Sequence, residues 1–315
     1  MWFDRPARAW ERLPDDQMIR RLALPEGRLD IVLDTDTYNE VDDQFALCYA
    51  LLSPERLNVQ AVYAAPYFNA RSTGPKDGME RSYGEIVRLL GLLGRDAEGF
   101  AFGGSDRWID DDGAPVDSPA ARDLVRRAME REDGSLLYVV AIGAITNVAS
   151  AILMEPRITK RIAVIWLGGN PTGYPHTSEF NLAQDLAASR VVLDCGVPLT
   201  LIPCLGVASH MLTTAQELRD CIGGKNALCD ALVKQFCDYS DDHFAWGKEI
   251  WDIATIGYMI DPEWVPSKLT HSPLVTDDYR WAQDETRPFI REAYFCRRNP
   301  IFRDMFRKLT GLKGT

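Results

Sequence analysis

Residues 29–47 constrain this chain most. Leu29 to Leu33, apolar but for Asp30, is a run of strand length, and it ends in acid. Asp34, Asp36, Glu40, Asp42 and Asp43 crowd one turn before a helical pattern opens with Phe45, Ala46, Leu47, Ala50 and Leu51. Five carboxylates so close repel one another, so they either face water or hold a positive charge among them. Acids in a first helical turn also suit the helix dipole and capping, which accounts for Asp42 and Asp43 taken alone. After a buried strand, at the sheet edge where α/β folds bind ligands, a hard cation held by oxygen atoms is the economical reading. Ca²⁺ and Mg²⁺ prefer such ligands.

The pattern then repeats. Apolar runs at Val59–Ala64, Leu136–Ala141, Ile162–Leu167 and Leu199–Pro203 alternate with helical stretches near 79–93, 121–130, 148–153 and 187–193, and the chain to about 260 is mainly helical. Such alternation predicts an α/β fold, a mostly parallel central sheet flanked by helices with right-handed crossovers. Phe102 to Asp106 reads as turn chemistry and Asp110 to Pro119 as a surface loop. Polar residues gather in the turns after successive strands: Asp36 and Asp43, Asn69, Thr146 with Asn147, and Asn170 with Glu179 and Asn181. In a parallel sheet these turns share one edge, which gathers them into one pocket. Residues 1–28, polar and Arg-rich, read as an N-terminal extension and 29–315 as a single domain, with no repeat and no Pro/Ser-rich linker.

Composition excludes more than it selects. A formal net charge of −11 over 315 residues argues against nucleic acid or an anionic membrane as the main partner. The seven cysteines show no Cys-x-x-Cys and no zinc spacing, which suits reduced thiols in the cytoplasm. Met1-Trp2-Phe3-Asp4-Arg5 lacks the apolar core of a signal peptide, and no run approaches membrane-spanning length.

In their order, Asp34-Thr35-Asp36, Asp42-Asp43, Asn69, Gly143-x-x-Thr146-Asn147, Gly168-Gly169, Glu179-Phe180-Asn181 and Trp251-Asp252 ahead of Ile260-Asp261-Pro262 resemble the nucleoside hydrolases, the Ca²⁺-dependent inosine-uridine-preferring N-ribohydrolases and their relatives. The likeness runs from about residue 29 to 265. It implies a Rossmann-like fold with the active site at the C-terminal ends of the strands. It further implies hydrolysis of the N-glycosidic bond of a ribonucleoside, a small-molecule substrate, and a homodimer or homotetramer. By the same resemblance Asp36, Asp43, the Thr146 backbone carbonyl and Asp252 bind Ca²⁺. Asp36 holds the attacking water and takes its proton, and Asp42, Asn69, Glu179 and Asn181 hold the ribose hydroxyls. The chemistry is coherent: Ca²⁺ accepts six to eight oxygens, a carboxylate can complete deprotonation of a water, and acids stabilise an oxocarbenium-like ribose.

Two departures stand out. The family's acidic turn is Asp-x-Asp-Pro-Gly-x-Asp-Asp, whereas here Thr37-Tyr38-Asn39-Glu40 lengthens it by two residues and offers Asn39 or Glu40 to the site. Many members carry His before the late Asp to protonate the leaving base; this chain has Trp251, which cannot donate a useful proton but can stack on a heterocycle. His176 and His243 are the candidates to replace that acid, Asn170 is a further substrate contact, and Tyr174, Tyr239 and Trp246 are other possible base contacts. Two rival readings keep the scaffold: a metal-dependent hydrolase of another ribosyl or sugar compound, and a non-catalytic sugar- or nucleoside-binding protein. The presence of Asp36, Asp42, Asp43 and Asp252 together counts against the second.

Overall fold

The structure, a computed structural model, describes residues 10–109, 113–132 and 134–311; the first residues of the chain and Asp110 to Asp112 lie outside them. Helix α1 (Asp15–Arg21) leads into β1 (Leu29–Thr35), α2 (Asp43–Leu51), β2 (Leu57–Ala64), α3 (Pro75–Leu92), β3 (Ala101–Gly103), α4 (Pro119–Met129), β4 (Leu137–Ala141), α5 (Thr146–Met154), β5 (Ile162–Leu167), α6 (Phe180–Gln184), α7 (Leu186–Asp194) and β6 (Leu199–Ile202). Then come β7 (Leu212–Thr213), α8 (Ala215–Ile222), α9 (Ala227–Cys237), β8 (Lys248–Glu249), α10 (Ile253–Ile260), β9 (Ser267–His271), β10 (Leu274–Val275), β11 (Trp281–Ala282), β12 (Phe289–Ala293) and α11 (Arg298–Thr310).

Eight strands form one sheet in the order β3-β2-β1-β4-β5-β6-β12-β9. All neighbours are parallel except β9, which runs antiparallel to β12. The mostly parallel α/β fold expected from the alternation is what forms. Side chains alternate across the strand, so β1 serves two cores. Ile31 and Leu33 pack with Phe45 and Leu47 of α2, Leu89 of α3, Ile256 of α10 and Ile301 of α11. Val32 faces Leu124 of α4, Val148 of α5 and Val192 of α7. A strand buried on both faces needs consecutive apolar residues, which β1 has from Ile31 to Leu33, between Asp30 and Asp34.

From β1 the chain moves outward on one side through β2 and β3, then returns to the other side as β4. The β1/β4 boundary is therefore a topological switch point, where open α/β sheets hold their ligand crevice. The acidic turn leaves β1 there.

Several local expectations change. Phe102 belongs to a short edge strand paired with β2 at Tyr63, not to a turn. Helix α3 begins at Pro75, whose fixed φ and missing N–H suit the first helical position. Beyond residue 266 the chain adds two strands to the sheet and the β10–β11 hairpin. Within residues 1–28, α1 buries Met18 and the Leu22 carbonyl accepts from Arg291 at 3.0 Å. All seven cysteines are free. Among the described residues no helix is long and apolar enough to cross a membrane.

Candidate active site

At the end of β1 the backbone turns sharply, with Asn39 N–H donating to the Asp36 carbonyl at 2.7 Å. Gln44, in the first turn of α2, reaches back to the Thr37 carbonyl, so the long turn is anchored by the helix it feeds. Asp42 precedes α2 yet its side chain makes no capping hydrogen bond, and Asp252 stands the same way before α10. Capping is therefore not what these two acids do here. Asp42, Asp43 and Asp252 each bring a carboxylate oxygen within 4.8 Å of the others. Asp36 joins them from the end of β1, facing Asp43 and Asp42. All four are buried.

Neither Asp36 carboxylate oxygen has a hydrogen-bond partner, although the residue is only 1% exposed. Burial, then the charges of Asp43 and Asp42, holds its carboxyl well above the usual range. Asp43 and Asp252 are raised in the same way, by burial first and then by their acidic neighbours. Asp42 is pushed up to about 6 by burial and Glu40, with Lys248 opposing. An unpartnered buried anion is among the costliest arrangements a protein can hold. The donor set is entirely hard oxygen, so a divalent cation of the Ca²⁺ or Mg²⁺ type fits these residues and removes the cost. Gly143 packs closely alongside: a Cβ there would lie 3.1 Å from the Asp36 carboxyl and crowd it.

Beneath this cluster lies a supporting layer. Asp34, pushed up to about 7 by burial, accepts from Asn147 Nδ2 at 2.7 Å. The same Asn147 amide oxygen takes the Ser105 N–H and hydroxyl at 2.7 and 2.8 Å. Thr35 donates its hydroxyl to Asp43. Thr146 opens α5, and its hydroxyl donates to Asp185 at 2.8 Å.

Above the acids is a cavity of about 290 Å³, lined by Asp36, Asn39, Glu40, Asp42, Asp43, Asn170, His176, Glu179, Asn181, Trp251 and Asp252, with Ile142, Leu167, Ser178, Phe180, Cys204 and Leu205 completing the wall. That size suits a small molecule. Glu179 caps α6, its carboxylate accepting from Gly169, Asn181 and Leu182 backbone N–H groups at 2.7–3.0 Å. Burial nonetheless raises its pKa. Asn181 donates to the Leu167 and Ile142 carbonyls at 3.0 and 3.3 Å, at the ends of β5 and β4. Asn170 keeps its amide oxygen buried and unpartnered. Gly169, at φ +68°, makes the turn before it.

Of the thirteen residues anticipated for the site, ten line this cavity and three, Asn69, Thr146 and His243, do not. Asn69 does not line the cavity; its amide donates to Asn39 at 2.6 Å. Thr146 lies under the wall rather than on it. His243 bonds through Nε2 to the Cys237 carbonyl at 3.0 Å and lines a different cleft, with Leu212, Arg219 and Trp246. His176 is on the wall and exposed. Sequence reasoning missed Lys248, which ion-pairs with Glu40, and the Asp34–Asn147 and Thr146–Asp185 pairs. The Thr146-Asn147 motif marked those positions but not their partners.

The sequence profile described as inosine-uridine preferring nucleoside hydrolase matches residues 76–291, more than two thirds of the chain, beginning after the acidic turn. Pyrimidine-specific ribonucleoside hydrolases RihA of Citrobacter koseri and Escherichia coli are 25% identical over 82% of this chain and 85% of theirs. Among solved structures, a purine-preferring ribonucleoside hydrolase from Gardnerella vaginalis superposes with a TM-score of 0.70 at 19% identity, covering 90% of this chain and 98% of that one. An inosine-guanosine nucleoside hydrolase gives 0.69 at 17% identity, covering 91% and 100%.

Proposed function

The chain belongs to the inosine-uridine preferring nucleoside hydrolase family, enzymes of N-glycosyl bonds, and on that premise we propose that it cleaves a ribonucleoside into free base and ribose in a Ca²⁺-dependent reaction. The observation that carries this reading is the pair of unpartnered, buried Asp36 oxygens among Asp42, Asp43 and Asp252. Asp36, Asp43, Asp252 and the Thr146 carbonyl are the residues that would hold the cation. Bound there, Ca²⁺ supplies Lewis acidity that makes a water easier to deprotonate.

Asp36, with no hydrogen bond to give up and a raised pKa, accepts the proton of the attacking water. Asp42, Asn181 and Glu179 line the wall where ribose hydroxyls would be held, Asn170 offers its spare amide oxygen, and Asn39, braced by Asn69, completes the rim. The glycosidic electron pair leaves with the base nitrogen. Positive charge builds on the ribose, where the ring of carboxylates lies close. Trp251 has no acidic proton to give and stacks on the departing base. His176 is the one histidine on the cavity wall and the remaining candidate for protonating that base.

The test is base release from purine and pyrimidine nucleosides by the purified full chain, with and without chelator. Chelator-sensitive release that Asp36→Ala abolishes supports the reading and names the base. Bound Ca²⁺ without release from any common nucleoside would point to another ribosyl compound. Neither binding nor release would overturn the reading.

A further inference from the structure

Glu40 is the acid that the longer turn adds, and it lies on the cavity wall. Its partner, Lys248, comes from β8, four residues ahead of Asp252, while Glu40 stands two ahead of Asp42. The Lys248 side chain is only 12% exposed and that of Glu40 34%. The ammonium also lies 5.9 Å from the centre of the Trp251 ring and 5.3 Å from that of Tyr239. Asp42, Glu40 and the Tyr239 hydroxyl are the groups facing it.

Asp42 and Asp43 arrive on the acidic turn, whereas Asp252 arrives on the segment after β8. Three carboxylates within 4.8 Å push those two segments apart, and the Glu40–Lys248 attraction at the rim opposes the push. We propose that Glu40 and Lys248 are a positioning pair that fastens the acidic turn to the Trp251–Asp252 segment and sets the spacing of the carboxylates. The inference rests on the reading of those carboxylates as a cation site. A long turn without Pro-Gly has more backbone freedom to lose, and the ion pair supplies the restraint from outside the turn.

The experiment is calorimetric titration of the chelator-stripped full chain with Ca²⁺ alone, for the wild type, Lys248→Met, Lys248→Arg, Glu40→Gln and the double variant Glu40→Gln/Lys248→Met. If Lys248 acted only through its charge, removing a cation beside the site would tighten Ca²⁺ binding. A positioning role predicts the opposite: Lys248→Met weakens binding by roughly 10–100-fold, as loss of an outer partner does. Lys248→Arg restores most of it, and the double variant is no weaker than Lys248→Met. Binding by Lys248→Met as tight as wild type or tighter, or additive losses in the double variant, would overturn the pair. Should Lys248→Met fail to fold, Lys248→Gln takes its place: weakened binding supports the pair, and binding as tight as wild type or tighter overturns it. Failure of the wild type to bind Ca²⁺ overturns the cation reading, and the pair's role with it.

Discussion

Asn69 donates its amide N–H to the amide oxygen of Asn39 across 2.6 Å, and only Asn39 reaches the cavity. The turn after β2 therefore acts on the site through the turn after β1. Asn39→Ala is expected to raise KM for the nucleoside roughly fivefold, the worth of about one hydrogen bond of ~1 kcal/mol. Asn69→Ala should raise it less, and the double variant should match Asn39→Ala, because both act at one contact. A steady-state KM series decides; equal and additive effects would mean that Asn69 touches substrate itself.

Asp36→Asn separates function from stability. Removing the base should lower kcat by roughly 10²–10⁴-fold. In chelated protein the same change removes a buried carboxyl that must either take up a proton or stand charged without a partner, which should raise Tm by a few degrees rather than lower it. Parallel turnover and thermal melts test both halves, and a destabilised variant would contradict the account of Asp36 as a buried carboxyl without a partner.

What was legible in the sequence was local. Leu29 to Leu33 announced a short buried strand because it is apolar at every position but Asp30, and the acids after it announced a site because they are neighbours in sequence. What was not legible was long-range. Lys248 is 208 residues from Glu40, and no pattern near either names the other. Glu179 flanks Phe180 as if on an alternating strand, but two of its three backbone donors belong to the helix it opens and the third to Gly169. His243 sits close to Trp251 in sequence, yet the loop after α9 turns its ring to Trp246, 5.4 Å away, and to the Cys237 carbonyl.

Stability against pH should carry the signature of the acidic cluster. Asp34 is raised from 3.8 to about 7 and Asp42 to about 6, both by burial first. The folded chain then holds protons that the unfolded chain releases near pH 4, so this contribution is whole below pH 4 and is lost as pH rises through about 6–7. For Asp34 alone the range amounts to roughly 4 kcal/mol. With chelator, Tm should fall between pH 5 and pH 8; with saturating Ca²⁺, which favours the ionised carboxylates, the fall should shrink or reverse. Differential scanning fluorimetry across that window suffices, and a chelated protein steadier at pH 8 than at pH 5 would contradict the raised pKa values.

The β10–β11 hairpin, far along the chain, braces the loop that carries Asn170 and His176. Trp281 Nε1 donates to the Asn170 carbonyl at 2.8 Å, and the Tyr279 carbonyl, on a residue at φ +57°, accepts from Thr177 N–H at 2.6 Å. Arg190 of α7 pins the hairpin in turn, donating to the Val275 carbonyl at 3.0 Å and to Asp277 at 2.6 Å. Trp281→Phe keeps an aromatic ring, though a smaller one, and removes the indole N–H with its hydrogen bond, so it should raise KM about fivefold with kcat nearly unchanged. Arg190→Met strands the partners of a buried guanidinium and should cost roughly 1–3 kcal/mol of stability, read by denaturant unfolding. It should also quicken proteolysis of the 171–178 loop, because local opening governs cleavage. Unchanged KM in Trp281→Phe together with unchanged cleavage in Arg190→Met would mean that the loop holds its shape without the hairpin.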